Sequence, residues 1–212
     1  MKRPEIILVG GGGHCKSCID VLETEGCFDI KGIIDLPKEL GKIILGYNVI
    51  GNDDDLPEFA KKGFNFIVTI GHLGNPKRRM ELFNIIKTHG GKFPTIISPA
   101  SQVSKYANIG AGTIIMHNAV VNTNAIIGNN CIINSKALIE HDVIIGDNCH
   151  ISTDANINGN CIVSDNCFIG SSSSIKNGLK IEKNTIIGMG SVVVKSITES
   201  GVFFGNPLRK IV

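Results

Sequence analysis

Residues 127–151 read IGNNCIINSKALIEHDVIIGDNCHI, with isoleucine at 127, 133, 139, 145 and 151. The interval is six. An amphipathic helix places apolar residues three or four apart and a half-buried strand places them two apart, so neither produces it. Counting outward from Val103 to Val193 meets sixteen such positions, every one Ile or Val, with no insertion. A short strict period of this kind marks a solenoid of stacked coils. Three hexads make one coil with three flat faces, and the branched aliphatic of each hexad points inward onto its equivalent in the next coil. Residues 103–193 then supply about five coils.

The fourth residue after each aliphatic is also restricted. It is Ala, Thr, Cys or Ser nearly throughout, as at Ala119, Cys149 and Ser173. A tight corner between flat faces has room only for small side chains. Cys131, Cys149, Cys161 and Cys167 are therefore read as corner fillers rather than ligands or nucleophiles. A solenoid needs covered ends. The stretch GVFFGNPLRKIV (201–212) breaks the period and offers Phe203, Phe204 and Pro207 to cover the last coil.

The first hundred residues carry no hexad. EIILV (5–9) reads as a buried parallel strand, and KSCIDVLETEG (16–26) has helical spacing at Cys18, Ile19 and Leu22. IKGIIDL (30–36) and NFIVTIG (65–71) are further strands. LPEFAKKG (56–63) is a short helix, and PKRRMELFNIIKTHGG (76–91) is a helix with Pro76 at its start. KFPTIIS (92–98) reads as the last strand. Alternating strands and helices imply a small, doubly wound, Rossmann-like α/β domain. The expected division is 1–100 for this domain and 101–212 for the β-helix with its C-terminal cap.

Composition narrows the classes. The net charge is +2 with 19% charged residues and no long block of one sign, which argues against a nucleic-acid partner. There are seven cysteines, an odd number. Cys15 and Cys18 form a C-x-x-C without a thioredoxin-like context, so packing is the favoured reading. The apolar run Ile6–Gly10 is shorter than a signal-peptide core, and no stretch approaches a membrane span. A cytoplasmic protein with reduced thiols and no membrane partner is expected.

Gly10–Gly13 joins the first strand to a helix, a place where backbone can approach a phosphate and a helix N-terminus favours an anion. G-x-G-x-x-G is not met, because the third position falls on Cys15 or Lys16, and no P-loop Gly-Lys-Ser/Thr is present. A nucleotide diphosphate fits better than a nicotinamide cofactor; a tight turn without a ligand stays open. Asp35 follows the second strand where it can accept from a ribose or sugar hydroxyl. The run Asp53–Asp55 resembles a metal patch but suits a solvated loop and helix cap. His72 and the cluster Lys77, Arg78 and Arg79 follow the third strand, and Arg78 is the candidate for a phosphate contact.

Within the hexads, His141 sits two residues after an inward Ile, between Glu140 and Asp142, and His150 lies nine residues on. Nine is half a coil, so the two side chains project from roughly opposite sides of the prism. They can share a site only between symmetry-related copies. His117 also follows an inward Ile by two but has no adjacent acid. His117, His141 and His150 have no zinc-ligand spacing, so no metal is expected.

The chain resembles the bacterial sugar acetyltransferases of the NeuD/PglD type. The resemblance rests on GGGGH, IID, TIG, NSKALIEHDVIIGDNCHIS, GMGSVVVK and GVFFGNPLRKI, and covers nearly the whole chain. It implies a left-handed parallel β-helix, a homotrimer, acetyl-CoA held between neighbouring solenoids and a nucleotide-linked amino sugar on the N-terminal domain. It also implies service in surface-polysaccharide or glycoprotein biosynthesis. By that likeness His141 matches the catalytic base and Asp142 the acid that polarises it, where relatives often carry Glu. Asn134 and His150 match positions near the substrate and the acetyl group. Gly159 matches a backbone amide facing the thioester oxygen, and Met189 matches a CoA-contacting turn where a relative has Gly. Gly10, Gly13, His14 and Asp35 match the nucleotide-binding end. The basic position after TIG is displaced here by two extra residues, to Arg78.

The activity implied is direct N-acetyl transfer from acetyl-CoA to a nucleotide-linked 4-amino-4,6-dideoxy sugar. O-acetylation of sialic acid or a related sugar uses the same chemistry. A non-catalytic β-helix for binding or assembly is the alternative from another class.

Overall fold

A computed structural model of the chain describes residues 3–211; Met1, Lys2 and Val212, the last quoted above in the C-terminal stretch, lie outside the described residues. The N-terminal part runs β1 (Glu5–Val9), α1 (Gly13–Glu25), β2 (Asp29–Ile34), β3 (Ile43–Ile44), β4 (Tyr47–Gly51), α2 (Leu56–Lys61), β5 (Asn65–Val68) and α3 (Lys77–Thr88). Its sheet has the order β3-β4-β2-β1-β5, parallel except for the β3–β4 hairpin. Side chains alternate across a strand. Ile6 and Leu8 of β1 pack with α1, whereas Ile7 and Val9 pack with α2 and α3. The domain is doubly wound, as the alternating pattern predicts. The hairpin was not read from the sequence: β3 is only two residues long, and its turn holds Leu45 at a φ of 47°.

From β6 (Ile96–Ile97) onward the chain winds as a parallel β-helix of two-residue strands. Three stacks of strands form its faces. Face 1 carries inward Ile97, Ile115, Ile133, Ile151, Ile169 and Ile187; face 2 carries Val103 through Val193; face 3 carries Ile109 through Ile181. Up to Val193 successive strands of a face pair in register eighteen residues apart, as Ile133 does with Ile151, and the closing pairs Ile181–Ile197 and Ile187–Phe203 are sixteen apart. The inward column is buried throughout its middle coils.

Two sequence expectations change. KFPTIIS was expected to finish the N-terminal sheet; only Lys92 bridges that sheet, to Asn65, and β6 pairs with Ile114–Ile115 of the solenoid. Ile97 lies six before Val103, so it is the first inward residue of the period. The C-terminal stretch does not merely cover the last coil. Gly201–Phe204 joins face 1 as a parallel strand beside Thr185–Ile187, and Arg209–Lys210 closes that sheet antiparallel. Phe203 caps the core, while Phe204 stays half-exposed over Gly188.

The corners show why small polar residues and cysteines interchange. Thr113, Cys131, Cys149 and Cys167 stack at one edge, and their hydroxyl or thiols donate to the carbonyls of Gly128, Gly146, Ser164 and Glu182 at 2.7–3.2 Å. The cysteines are corner fillers, as expected, that also satisfy turn carbonyls. One step earlier in each hexad the backbone is left-handed, with φ near 60° at positions such as Asn118, Asn124, Asp142 and Asn160. Asn and Asp tolerate that region better than other side chains. At one edge Asn130, Asn148, Asn166 and Asn184 form a ladder, each amide donating to the next at 2.8–3.2 Å.

The domains meet on face 1. α1 presents Cys15, Cys18, Ile19 and Leu22 to a core that also holds the outward side chains of Ile96, Ile114 and Ile132. Burial pushes the Cys15 thiol up to about 11 and raises that of Cys18 as well, in keeping with packing rather than redox chemistry. Among the described residues, no helix is long and apolar enough to cross a membrane. Replacing Ile157, fully buried mid-column, by Ala is expected to cost about 2–5 kcal/mol in denaturant unfolding, since neighbouring coils cannot collapse into the cavity. A loss below about 0.5 kcal/mol would contradict this account of the column.

Candidate active site

His141 and Asp142 occupy the turn between faces 2 and 3, and both are exposed. Asp142 takes the left-handed place of its hexad, with φ 59°. There its Oδ2 lies 2.8 Å from His141 Nδ1. Hydrogen bonds from His141 first, then from Asn124, hold the Asp142 carboxyl below the usual carboxylate range. A carboxylate at Nδ1 draws the single proton of the neutral ring to that nitrogen and leaves Nε2 with its lone pair. Glu140 does not touch the ring; it accepts from the His141 backbone N–H and from Asn122. Gly159, one coil on, lies under the imidazole. A Cβ there would sit 2.6 Å from both Cε1 and Nε2 of His141, so only glycine admits the ring in this position.

His150 points outward from face 1, which lies opposite the face 2–face 3 edge, so one chain does not bring the two histidines together. His150 is buried under the N-terminal domain, with Nδ1 2.8 Å from the His72 carbonyl and Nε2 3.2 Å from Asn134 Nδ2. Asn134 and Met189 both lie in turns between faces 1 and 2, the former half-buried and the latter exposed. The predicted residues thus fall in two groups on one chain: His141, Asp142 and Gly159 at one edge, and His150, Asn134 and Met189 on and beside face 1.

A third group lies at the C-terminal ends of the N-terminal sheet. Gly10, Asp35 and Arg78 line a cleft of about 230 Å³ with Asp53 and Ile70. Asp35 is already engaged, its two oxygens accepting from the N–H groups of Gly11 at 3.0 Å and Leu36 at 2.8 Å. Gly13 opens α1, which has no side-chain cap and no acid in its first turn. A Cβ on Gly12 or Gly13 would meet nothing within 4 Å, and both glycines are exposed. Arg78 is exposed and paired with Asp53 and Glu81. The acidic run is a helix start, as expected, but Asn52 is the capping residue, with Asp55 closing a capping box. His14 differs from the expectation that grouped it with the cleft. It packs beside Gly71, within electrostatic reach of Arg79 and His150.

The PglD N-terminal domain model matches residues 5–86. The model for bacterial transferase hexapeptide (six repeats) matches 106–141 and 124–159, and that for the hexapeptide repeat of succinyl-transferase matches 160–195. PerB from Caulobacter crescentus, solved with CoA and GDP-perosamine, is 29% identical over 98% of this chain and 97% of its own, with a TM-score of 0.89. The acetyltransferase domain of PglB from Neisseria gonorrhoeae FA1090, solved with acetyl coenzyme A, is 26% identical over 99% and 100%, with a TM-score of 0.92. The chain belongs to the NeuD/PglD-type sugar acetyltransferases. WeeI from Acinetobacter baumannii AYE shares the fold at 24% identity over 97% and 99%, with a TM-score of 0.86. A comparison with curated proteins finds no match.

In this NeuD/PglD-type chain the basic residue that matters to the domain interface is Arg79, not Arg78. Arg79 is fully buried; its guanidinium donates to the carbonyls of Val68, of Ile70 at 3.1 Å and of Asn130 at 3.0 Å. It ties the exit of β5 to the solenoid. Burial draws it down to about 10, so it stays charged at neutral pH. The signal was present in the sequence: Arg79, Leu82, Phe83 and Ile86 follow the i, i+3, i+4, i+7 spacing of one helix face. Phe168 also escaped notice. Its ring stands edge-on to His150 at 5.3 Å and to His72 at 6.3 Å. His117 does find an acid, from α1 rather than from its own turn: Nε2 lies 2.9 Å from Asp20, and Nδ1 lies 2.6 Å from Ser98 Oγ.

Replacing Arg79 by Met strands three buried carbonyls and is expected to cost about 3 kcal/mol. Arg78→Ala is expected to stay within about 1 kcal/mol, since exposed ion pairs contribute little. Denaturant unfolding of both checks the contrast. Burial, the largest cause in each case, holds His14 and His72 down to about 3 and His150 to about 4. Between those values and the ordinary 6.5 the unfolded chain binds more protons, so stability rises with pH across that window. The contribution is full above that window and is lost progressively as pH falls through it. Calorimetry should show the thermal midpoint falling from about pH 7 to about pH 5, with a shallower fall in His72→Phe. A fall equally steep in that variant would count against the assignment.

Proposed function

We propose that this chain is an acetyl-CoA-dependent N-acetyltransferase acting on a nucleotide-linked 4-amino-4,6-dideoxy sugar, working as a homotrimer with its active sites between subunits. The observation that carries the reading is the exposed His141–Asp142 pair, with the Nε2 side of the ring lying over Gly159. An amine attacking a thioester must lose a proton as the new bond forms, and His141 Nε2 accepts it. Asp142 fixes the tautomer and stabilises the imidazolium that results. The Gly159 N–H, which meets no acceptor among the described residues, suits the oxyanion of the tetrahedral intermediate. The thiolate of CoA then leaves and takes up the proton. No acyl-enzyme is required.

The other groups complete the site. The exposed Gly12 and Gly13 and the uncapped start of α1 suit a diphosphate. Asp35 retains lone pairs for a sugar or ribose hydroxyl, and Arg78 stands at the same cleft. The Caulobacter and Neisseria relatives, crystallised with CoA and GDP-perosamine and with acetyl coenzyme A, support the two substrates. The separation of the histidines supports a site between copies, and the family resemblance makes that assembly a trimer: His141 and Asp142 of one subunit complete a site with His150 and Asn134 of the next, with the exposed Met189 turn assigned to CoA.

Free CoA release, measured against a panel of amino-sugar nucleotides and free sialic acid, tests the substrate. Turnover of the amino-sugar nucleotides is expected, and turnover of sialic acid alone would replace N- with O-transfer. His141→Ala should lower kcat by about 10²–10⁴. Co-expressing His141→Ala with His150→Ala should restore part of the activity, because a mixed trimer contains a site with both histidines intact. Absence of restoration in a confirmed mixed oligomer would sink the intersubunit site.

A further inference from the structure

We propose that the loop between β5 and α3 sets the hydrogen bonding of Asn134 through His150: the His72 carbonyl fixes the His150 tautomer, and the Nε2 lone pair so exposed takes one Asn134 N–H and leaves the other for the ligand. This rests on the acetyltransferase reading above and makes the loop a positioning element rather than a catalytic one.

The donors and acceptors determine the chain of bonds. A carbonyl only accepts, so His150 Nδ1, 2.8 Å from the His72 oxygen, carries the proton. Nε2 of the neutral ring is then an acceptor. Asn134 is oriented independently, since the Ser135 backbone N–H lies 2.8 Å from Oδ1. Its NH₂ therefore faces His150 Nε2 at 3.2 Å. With the opposite tautomer, two donors would face one another. One Asn134 N–H is used on His150, and the other remains for an acceptor oxygen on the ligand, such as a thioester carbonyl or a sugar hydroxyl.

The loop is seated at both ends. Near the cleft, Thr69 donates to the Gly10 carbonyl at 2.6 Å, and Ile70 fills the space a Gly10 side chain would need. At the solenoid, the His72 ring packs edge-on to His150 at 5.5 Å, and Gly74 donates to His72 Nδ1 at 3.3 Å. Gly74, with φ 110°, lies so close to Ile186 that a Cβ would come within 2.3 Å. The titratable and charged groups near this ring are His14, His72 and Arg79; burial first and then the Arg79 charge favour its neutral form, against the hydrogen bond to the His72 carbonyl, which favours the protonated one. One loop thus touches the nucleotide cleft and sets the hydrogen bonding beside the acetyl group.

Nitrogen-resolved histidine NMR of the full-length protein tests this. Wild type should show His150 as the Nδ1–H tautomer. Gly74→Ala, which pushes the loop off Ile186, should give a tautomer mixture that titrates nearer to an ordinary histidine. Its kcat should fall about ten- to a hundredfold. Should that variant not fold, Asn134→Asp gives a second test: with a carboxylate facing Nε2 and the His72 carbonyl still facing Nδ1, the ring takes up a second proton, and the NMR signature switches to that of imidazolium. An Nε2–H tautomer in wild type would overturn the proposal, as would a folded Gly74→Ala that loses kcat with its His150 signature unchanged. If the wild-type signature and both switches appear but no acetyl transfer occurs, the relay stands and the enzymatic reading falls.

Discussion

Everything in this molecule depends on the register in which each coil of the β-helix hydrogen-bonds to the next. Parallel strands stack at about 4.8 Å, and every coil must close in eighteen residues for inward side chains to meet their equivalents. One inserted residue would turn a column of isoleucines outward. The same register creates the other columns: thiols and hydroxyls at the corners, and asparagines at the left-handed turns. The candidate base is a product of it as well. His141 has room for its ring because the residue eighteen positions on is Gly159, and Asp142 reaches Nδ1 from the one place in the hexad where an acidic residue costs the backbone little.

Against this repeating scaffold the N-terminal domain supplies what is not repeated. It covers face 1 with α1 and inserts Arg79 between β5 and the solenoid. That placement buries His72 and His150 and half-buries His14 beside them, which favours their neutral forms, and it leaves His141 exposed at the far edge. Two histidines of the same repeat, nine residues apart, thereby acquire different chemistry. One is a solvent-facing ring polarised by a carboxylate, and the other is a buried ring held by a carbonyl.

Much of this was legible beforehand, and the places where reading failed are instructive. The inward column and the small corners could be read directly because each recurs at every coil. The left-handed positions were equally periodic, with Asn, Asp or Gly at nearly every sixth residue from 112 to 190, yet they went unread beside the stronger apolar signal. Ile97 was assigned to the wrong domain although it was in phase. Arg79 was not singled out within the Lys77–Arg79 cluster, although its helix phase puts it on the buried face. The β3–β4 hairpin left little trace, since two residues of strand carry no periodicity.

The sequence by itself determined the β-helix, its inward face, its corner residues and the separation of His141 from His150 by half a coil. These are consequences of local repetition, which one chain read in order displays in full. Only the tertiary structure decided which outward face the first domain covers, and therefore which histidine is buried. It also decided that an arginine would bond three carbonyls across the junction, and that His72, seventy-eight residues away in sequence, would hold the His150 ring. Such contacts join segments with no common period, and they form only once two independently patterned surfaces exclude water from between them.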